Sequence, residues 1–270
     1  MCKVLGVSKS GYYGWRNRPL SEQAKRRQEL TKEVKRVHAE SNQIYGSPKI
    51  YNQLKNEGIK TSERTVQRIM SDESIRSKTV KKFKATTNSD HNHLIYPNIL
   101  NQDFTTTAPG EVWVADITYV WTKEGWLYLA SVMDLYSRRI IGFNMGSRLT
   151  KELAIMALER AMINQPPRKG LIHHSDRGSQ YASIEYTDKL KDAKITISMS
   201  GRGNCYDNAC IESFHSALKK ELIYQKKYQT RDEAKISIFD YLVGFYNSRR
   251  IHSTLGYVSP NVFEKQYLLK

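Results

Sequence analysis

Three acids far apart along the chain, Asp116, Asp176 and Glu212, are the residues best suited to chemistry in this sequence. Asp116 interrupts the apolar run Val112-Trp113-Val114-Ala115-Asp116-Ile117-Thr118-Tyr119-Val120-Trp121, whose β-branched and aromatic content reads as a strand. An acid buried in such a strand must be neutralised, paired or metal-bound. Asp176 ends a second short apolar stretch, Leu171-Ile172-His173-His174-Ser175, just before a glycine-containing loop. Ligand sites in open α/β sheets gather beyond the carboxyl ends of strands. Glu212 lies in a helical pattern over 207–222, where Ile211, Phe214, Leu218 and Leu222 form an apolar stripe. Asn208, Glu212, Ser216 and Lys219 fall on a different, polar face, and Asp207 is expected to cap the helix. Three convergent carboxylates are the oxygen donor set of a hard divalent cation such as Mg²⁺. Without the cation, like-charge repulsion makes such a cluster costly.

The elements that must position these acids follow from periodicity. Strands are expected at 111–121, 126–136 and 139–146, the first two joined by Lys123-Glu124-Gly125. A helix at 150–164, a strand at 171–175, a helix near 183–193 and a strand at 195–199 come next, then the Glu212 helix and a last helix at about 231–247. Three antiparallel strands followed by alternating helices and strands is the ribonuclease-H-like order. Asp134, near the end of the second strand, is read as structural rather than as a fourth acid of the site. Gly201-Arg202-Gly203-Asn204 forms a flexible loop before the Glu212 helix, with Arg202 a candidate phosphate contact.

The front of the chain reads differently. Gly6 can end one short helix and Ser8 can cap another. A charged helix follows over 21–40 with Leu30, Val34 and Val37 as a thin apolar stripe. Ser47 then starts a helix, Gly58-Ile59-Lys60 turns, and Ser62 caps a helix carrying Val66, Ile69 and Met70. In a helix-turn-helix unit the second helix enters the major groove, and Arg64, Gln67 and Arg68 lie largely off its apolar stripe. A plain helical hairpin is the alternative. The expected organisation is a helical DNA-binding region at 1–75, a basic linker at 76–105 with Lys78, Lys81, Lys82 and Lys84, a catalytic core at 106–230, and a C-terminal helix and basic tail at 231–270.

Charge points to a polyanion. The net charge is +16, from 43 Lys plus Arg against 27 Asp plus Glu, and the first 100 residues hold 20 basic and 9 acidic residues. Phosphate neutralisation with counterion release is the usual source of affinity for so basic a chain. No apolar run approaches the ~18 residues of a membrane span, and no secretory apolar region opens the chain, so a cytoplasmic, nucleoid-associated protein is expected. Cys2, Cys205 and Cys210 make no CxxC pair and no disulfide framework. His91 and His93 are read as surface loop residues rather than a metal site. No Ser/His/Asp triad or phosphate-cradling Gly-Lys-Ser/Thr loop is evident.

Fifty-nine residues lie between Asp116 and Asp176 and 35 between Asp176 and Glu212, and Lys219 follows the glutamate by seven. That order and spacing resembles the Asp-Asp-35-Glu signature of retroviral integrases and bacterial insertion-sequence transposases. Trp113-Val114-Ala115-Asp116-Ile117-Thr118-Tyr119, His174-Ser175-Asp176-Arg177-Gly178-Ser179-Gln180-Tyr181 and Glu212-Ser213-Phe214 resemble the second-frame (orfB) transposase product of such elements. Tyr246-Asn247-Ser248-Arg249-Arg250, with His252, Leu255-Gly256-Tyr257 and Ser259-Pro260, matches the C-terminal signature of the same group. The resemblance covers most of the chain and lacks only the His-His-Cys-Cys zinc pattern of retroviral integrase N-termini.

It implies an α/β fold, a ribonuclease-H-like integrase catalytic core preceded by a small all-α helix-turn-helix region. It implies a DNA transposase that cleaves at terminal inverted repeats and transfers the 3′-hydroxyl strand, by way of a circular intermediate. Asp116 would bridge two Mg²⁺ or Mn²⁺ ions, with Asp176 holding one and Glu212 the other. Lys219, Arg249, Arg250 and His252 would face DNA. The implied partners are terminal-repeat and target DNA, further copies of the chain, and an upstream-frame helix-turn-helix protein, fused or separate. A metal-dependent nuclease without strand transfer and a non-catalytic DNA-binding regulator are the competing readings.

Overall fold

Alternation of β-branched, aromatic and small side chains dictates the central sheet of the computed structural model, which describes residues 2–78, 94–201 and 205–269. The chain divides into two compact units, Met1–Lys78 and Thr79–Lys270.

The first unit is helical: α1 (Lys9–Arg16), α2 (Glu22–Glu40), α3 (Ser47–Asn56) and α4 (Glu63–Asp72). Ser8, Ser21 and Ser62 cap α1, α2 and α4, each accepting a first-turn backbone N–H. Val34 and Val37 of α2, Ile50 and Leu54 of α3, and Val66 and Ile69 of α4 are buried at 2% exposure or less. Between α3 and α4 the chain turns at Gly58 with φ 81°. Residues before Gly6 form turns rather than the expected helix, and α1 buries no residue, so that first pair is not a packed helix-turn-helix. His91, His93, Lys81, Lys82, Lys84 and Arg202 lie outside the described residues.

The second unit is built on five strands among the described residues: β1 (Val112–Thr122), β2 (Gly125–Asp134), β3 (Ile140–Gly146), β4 (Ile172–Ser175) and β5 (Thr196–Met199). Their order is β3-β2-β1-β4-β5, antiparallel across β3-β2-β1 and parallel across β1-β4-β5. α5 (Lys151–Asn164) and α6 (Ile184–Asp192) cover one face, where Trp113, Ala115, Ile141, Leu158 and Tyr186 share a core. α5 approaches β3 so closely that a Cβ on Gly142 would sit 2.3 Å from the Ala157 carbonyl oxygen. α7 (Ala209–Glu221) packs on β1 and α8 (Arg231–Phe239) on β1 and β2.

The ends of the helices needed correction. A 3₁₀ turn, Cys205–Asn208, precedes α7, and Asn208 rather than Asp207 is its N-cap. Asp207 is buried and accepts from Gly201 N at 2.7 Å and Gln102 Nε2 at 2.9 Å, so it anchors the preceding loop. The expected helix at 231–247 is α8 continued by a π-helical stretch, Asp240–Tyr246. A further helix, α9 (Pro260–Leu268), begins at Ser259-Pro260, a capping residue followed by proline at N1.

Candidate active site

Parallel pairing of β1 and β4 ends with Ala115 opposite Ser175. Asp116 and Asp176 each follow the last paired residue of their strand, so the parallel ladder carries both acids past the same end of the β1–β4 pair. Asp116 Oδ1 accepts from Ile117 N at 2.8 Å, and its Oδ2 is bonded to His215 Nδ1 at 3.2 Å. His215 is buried in α7 and reaches Ser131 Oγ with Nε2 at 3.4 Å; Ser131 is the β2 partner of Asp116. Asp176 Oδ1 accepts from Gly178 N at 2.9 Å in a turn where a Cβ at 178 would come within 3.0 Å of that oxygen.

α7 is docked one residue away from Asp116, where Asn208 Nδ2 donates to Ala115 O at 3.0 Å. Glu212 follows in the first turn of α7 with its side chain open to solvent. Its carboxyl is raised above the usual value, first by crowding from the surrounding protein and then by the negative charge of Asp116. Lys219 is half-buried with Nζ 4.7 Å from the centre of the Tyr119 ring. Burial lowers its ammonium, while Asp116 draws it back up.

Thus the structure brings the two aspartates side by side and sets Glu212 within the field of Asp116. Among the described residues no three His, Cys, Asp or Glu side chains yet form a ready-made ion cage. The donor set nevertheless fits a hard divalent cation, being carboxylate oxygens with spare lone pairs and mutual repulsion that a cation relieves. Two buried polar atoms here also lack a hydrogen-bond partner, Asn208 Oδ1 and the hydroxyl of Tyr181, a tyrosine whose ionisation is disfavoured first by burial and then by Tyr186, Asp116 and Asp176.

Not every residue expected at DNA is placed to meet it. Arg250 is largely covered, its side chain 11% exposed, donating to Glu221 Oε1 at 2.6 Å and Oε2 at 2.8 Å, while Tyr241 OH donates to the same carboxylate at 2.6 Å. Burial works against its charge, and the paired bonds to Glu221 more than offset this and raise its pKa. The expectation that Arg250 faces DNA is corrected: its guanidinium holds the C-terminal segment to α7. His252 belongs to the same cluster, 3.2 Å from Arg250 Nη1 and edge-on to Tyr246. Asn247 likewise pairs both ways with the Ile140 backbone, at 3.0 and 2.9 Å. Arg249 is exposed. Arg64, Gln67 and Arg68 are exposed on α4 and, with Glu63, line a surface depression. Asp134 is wholly buried and accepts from Gly110 N, Ser137 N and Ser137 Oγ, a structural acid.

His215 was missed from sequence, although it lies one helical turn beyond Glu212 on the same side of α7. Its strand partner, Asp116, lies 99 positions back, and no spacing rule links the two.

The fold and the paired acids define an integrase-type catalytic core. The Integrase core domain family matches residues 106–205 and, in a second form, 193–260, and the HTH-like domain family matches 25–83. A protein described as "Insertion element IS600 uncharacterized 31 kDa protein", from Shigella sonnei, is 45% identical over 99% of this chain and 98% of its own length. "Transposase InsF for insertion sequence IS3A" of Escherichia coli (strain K12) is 38% identical over 99% of this chain and 94% of its own. The HTLV-2 integrase catalytic core, solved in complex with magnesium, overlays with a TM-score of 0.46 at 15% identity, covering 58% of this chain and 97% of that one. The chain belongs to the IS3-family insertion-sequence transposases.

Proposed function

We propose that Asp116, Asp176 and Glu212 are the catalytic acids of a DNA transposase that cuts at the ends of its element and joins the freed 3′-hydroxyl to target DNA. The observation that supports this reading is the β1–β4 register, whose last pair, Ala115 and Ser175, directly precedes Asp116 and Asp176, together with a Glu212 carboxyl raised by desolvation and then by the charge of Asp116. The three acids would hold two Mg²⁺ or Mn²⁺ ions, which when bound polarise the phosphate and make an attacking oxygen more nucleophilic. The His215–Asp116 bond orients the shared aspartate, and the Gly178 N–H orients Asp176. In cleavage, water adds to phosphorus as the P–O3′ bond breaks, and the 3′-oxygen leaves with a proton. In joining, that 3′-oxygen adds to a target phosphorus and displaces the target's own 3′-oxygen.

Lys219 and Arg249 are proposed phosphate contacts, and Arg202 a further one. Exposure of Arg64, Gln67 and Arg68 on α4 supports that helix as the element reading terminal-repeat DNA in the major groove. A homo-oligomer on DNA and pairing with an upstream-frame helix-turn-helix protein complete the proposal. Among the described residues no helix is long and apolar enough to cross a membrane.

Incubation with labelled terminal-repeat DNA and Mg²⁺ or Mn²⁺ tests the assignment. Joined strands are expected from the parent and none from Asp176→Asn or Glu212→Gln. Joining retained in either variant overturns the residue assignment, and hydrolysis without any joined product points to a nuclease.

A further inference from the structure

The β1–β2 hairpin breaks the rule for a half-buried strand pair. Its inward positions Val120, Thr122 and Leu127 are at most 1% exposed, so its outward positions should be polar. Instead they carry Tyr119, Trp121 and Trp126, exposed by 38%, 58% and 42%. Trp121 faces Trp126 across the strands, and their rings meet edge-to-face at 4.8 Å; Trp126 meets Tyr119 at 5.1 Å. Isolated surface aromatics are ordinary, but three in contact on one open face need a reason.

The platform is rigid without a partner. Thr122 Oγ1 donates to Gly125 O at 2.7 Å across the turn. From α8, Arg231 donates to Trp126 O at 3.0 Å and Glu124 O at 2.6 Å, while its own N–H meets the Glu124 carboxylate. The rim is cationic. Lys219 lies over Tyr119, Lys123 is exposed at the tip, and Lys226 and Lys227 are exposed in the segment whose Tyr228 carbonyl accepts from Lys123 N at 3.2 Å. A second copy of the chain docking here would bring like charges together, whereas a polyanion with apolar rings satisfies both features.

We propose that this face stacks unpaired bases of the DNA strand being cut, with Lys219 and the tip lysines meeting its phosphates; this rests on the transposase reading. Tyr119 and Trp121 lie ~10 and ~17 Å along β1 from Asp116, within about five base steps, on the opposite face of the strand and beyond the last β4 pair at Ala115, where Lys219 reaches Tyr119. Stacking on aromatic rings is tolerant of sequence, as capture of a strand opened beside the cut bond requires.

The test uses the full chain in EDTA with an oligothymidylate of about 15 nucleotides and a blunt duplex of equal length, by fluorescence anisotropy. Trp121→Ala and Trp126→Ala should each weaken oligothymidylate binding by ~10-fold or more while leaving duplex binding within ~2-fold, and Trp121→Phe should recover most of the loss. Lys219→Gln should lower the salt slope by about one, and the tryptophan variants should leave it unchanged. Trp126→Leu, which keeps apolar cover over the hairpin, should lose binding like Trp126→Ala while keeping the parent's thermal midpoint. Unchanged oligothymidylate affinity, or equal loss on both probes, overturns the proposal. So does a change in sedimentation of Trp121→Ala without a change in binding, which marks a self-association face. The binding assay runs in EDTA without turnover, so the stacking result stands or falls separately from the joining assay.

Discussion

Asp134 and Asp116 sit on adjacent strands of one sheet, three ladder rungs apart, and differ in how fully their oxygens are satisfied. Asp134 is fully buried, and three donors close around it. Asp116 is partly exposed, with one contact from its neighbour's N–H and one from His215, and it stands next to a second carboxylate with a third nearby. A saturated acid gives up its chemistry for stability. An acid left with spare lone pairs and like charges around it is costly by itself and available to a cation. The same contrast recurs among the cations, where Arg250 is locked to Glu221 and Arg249 beside it is exposed.

Four measurements test this contrast. Asp176→Asn should cut joining by ~10³-fold or more, since a lost metal ligand removes several kcal/mol from the barrier, while its thermal midpoint stays at or above the parent's. A large fall in midpoint would make Asp176 structural, like Asp134. Arg250→Ala should cost ~3–5 kcal/mol by stranding Glu221, read as a fall of ~10 °C or more, whereas Arg249→Ala, which loses an exposed bond from Nε to Gly244 O, should lower the midpoint by no more than ~3 °C. Equal behaviour of the two would erase the distinction between them.

Asp134→Ala strands three buried donors and should cost ~3 kcal/mol in a denaturant melt, with joining per folded molecule preserved. The smallest effect belongs to Glu212→Gln in EDTA. Because the folded carboxyl is raised above its ordinary 4.5, ionised Glu212 costs stability at neutral pH, and that cost vanishes as pH falls below that value. The variant should therefore melt up to ~2 °C higher at pH 7 and level with the parent near pH 4. A lower midpoint at pH 7 would show that Glu212 is a structural residue.

Much of this protein was legible before its fold. Alternating Val112–Thr122 and the 3.6-residue spacing of Val66, Ile69 and Met70 stated their elements, because burial of one face leaves a period in the chain. Serines at 8 and 62 marked helix starts for the same local reason. Where chemistry depended on partners far along the chain, local pattern was silent or misleading. Asp207 looked like a cap and became a loop anchor, and the basic Arg249-Arg250 pair looked like one DNA contact and was divided between solvent and core.

Residue type and near neighbours were enough to give most elements of the second unit in order, the spacing of the three acids and the basic character. Long-range packing settled which acid was saturated, which arginine was locked in an ion pair, that His215 holds Asp116, and that the hairpin aromatics stay open. Each of those depends on what a folded sheet and helix bring within ~3–5 Å across a hundred residues, and hydrogen bonds and packing act at that range alone.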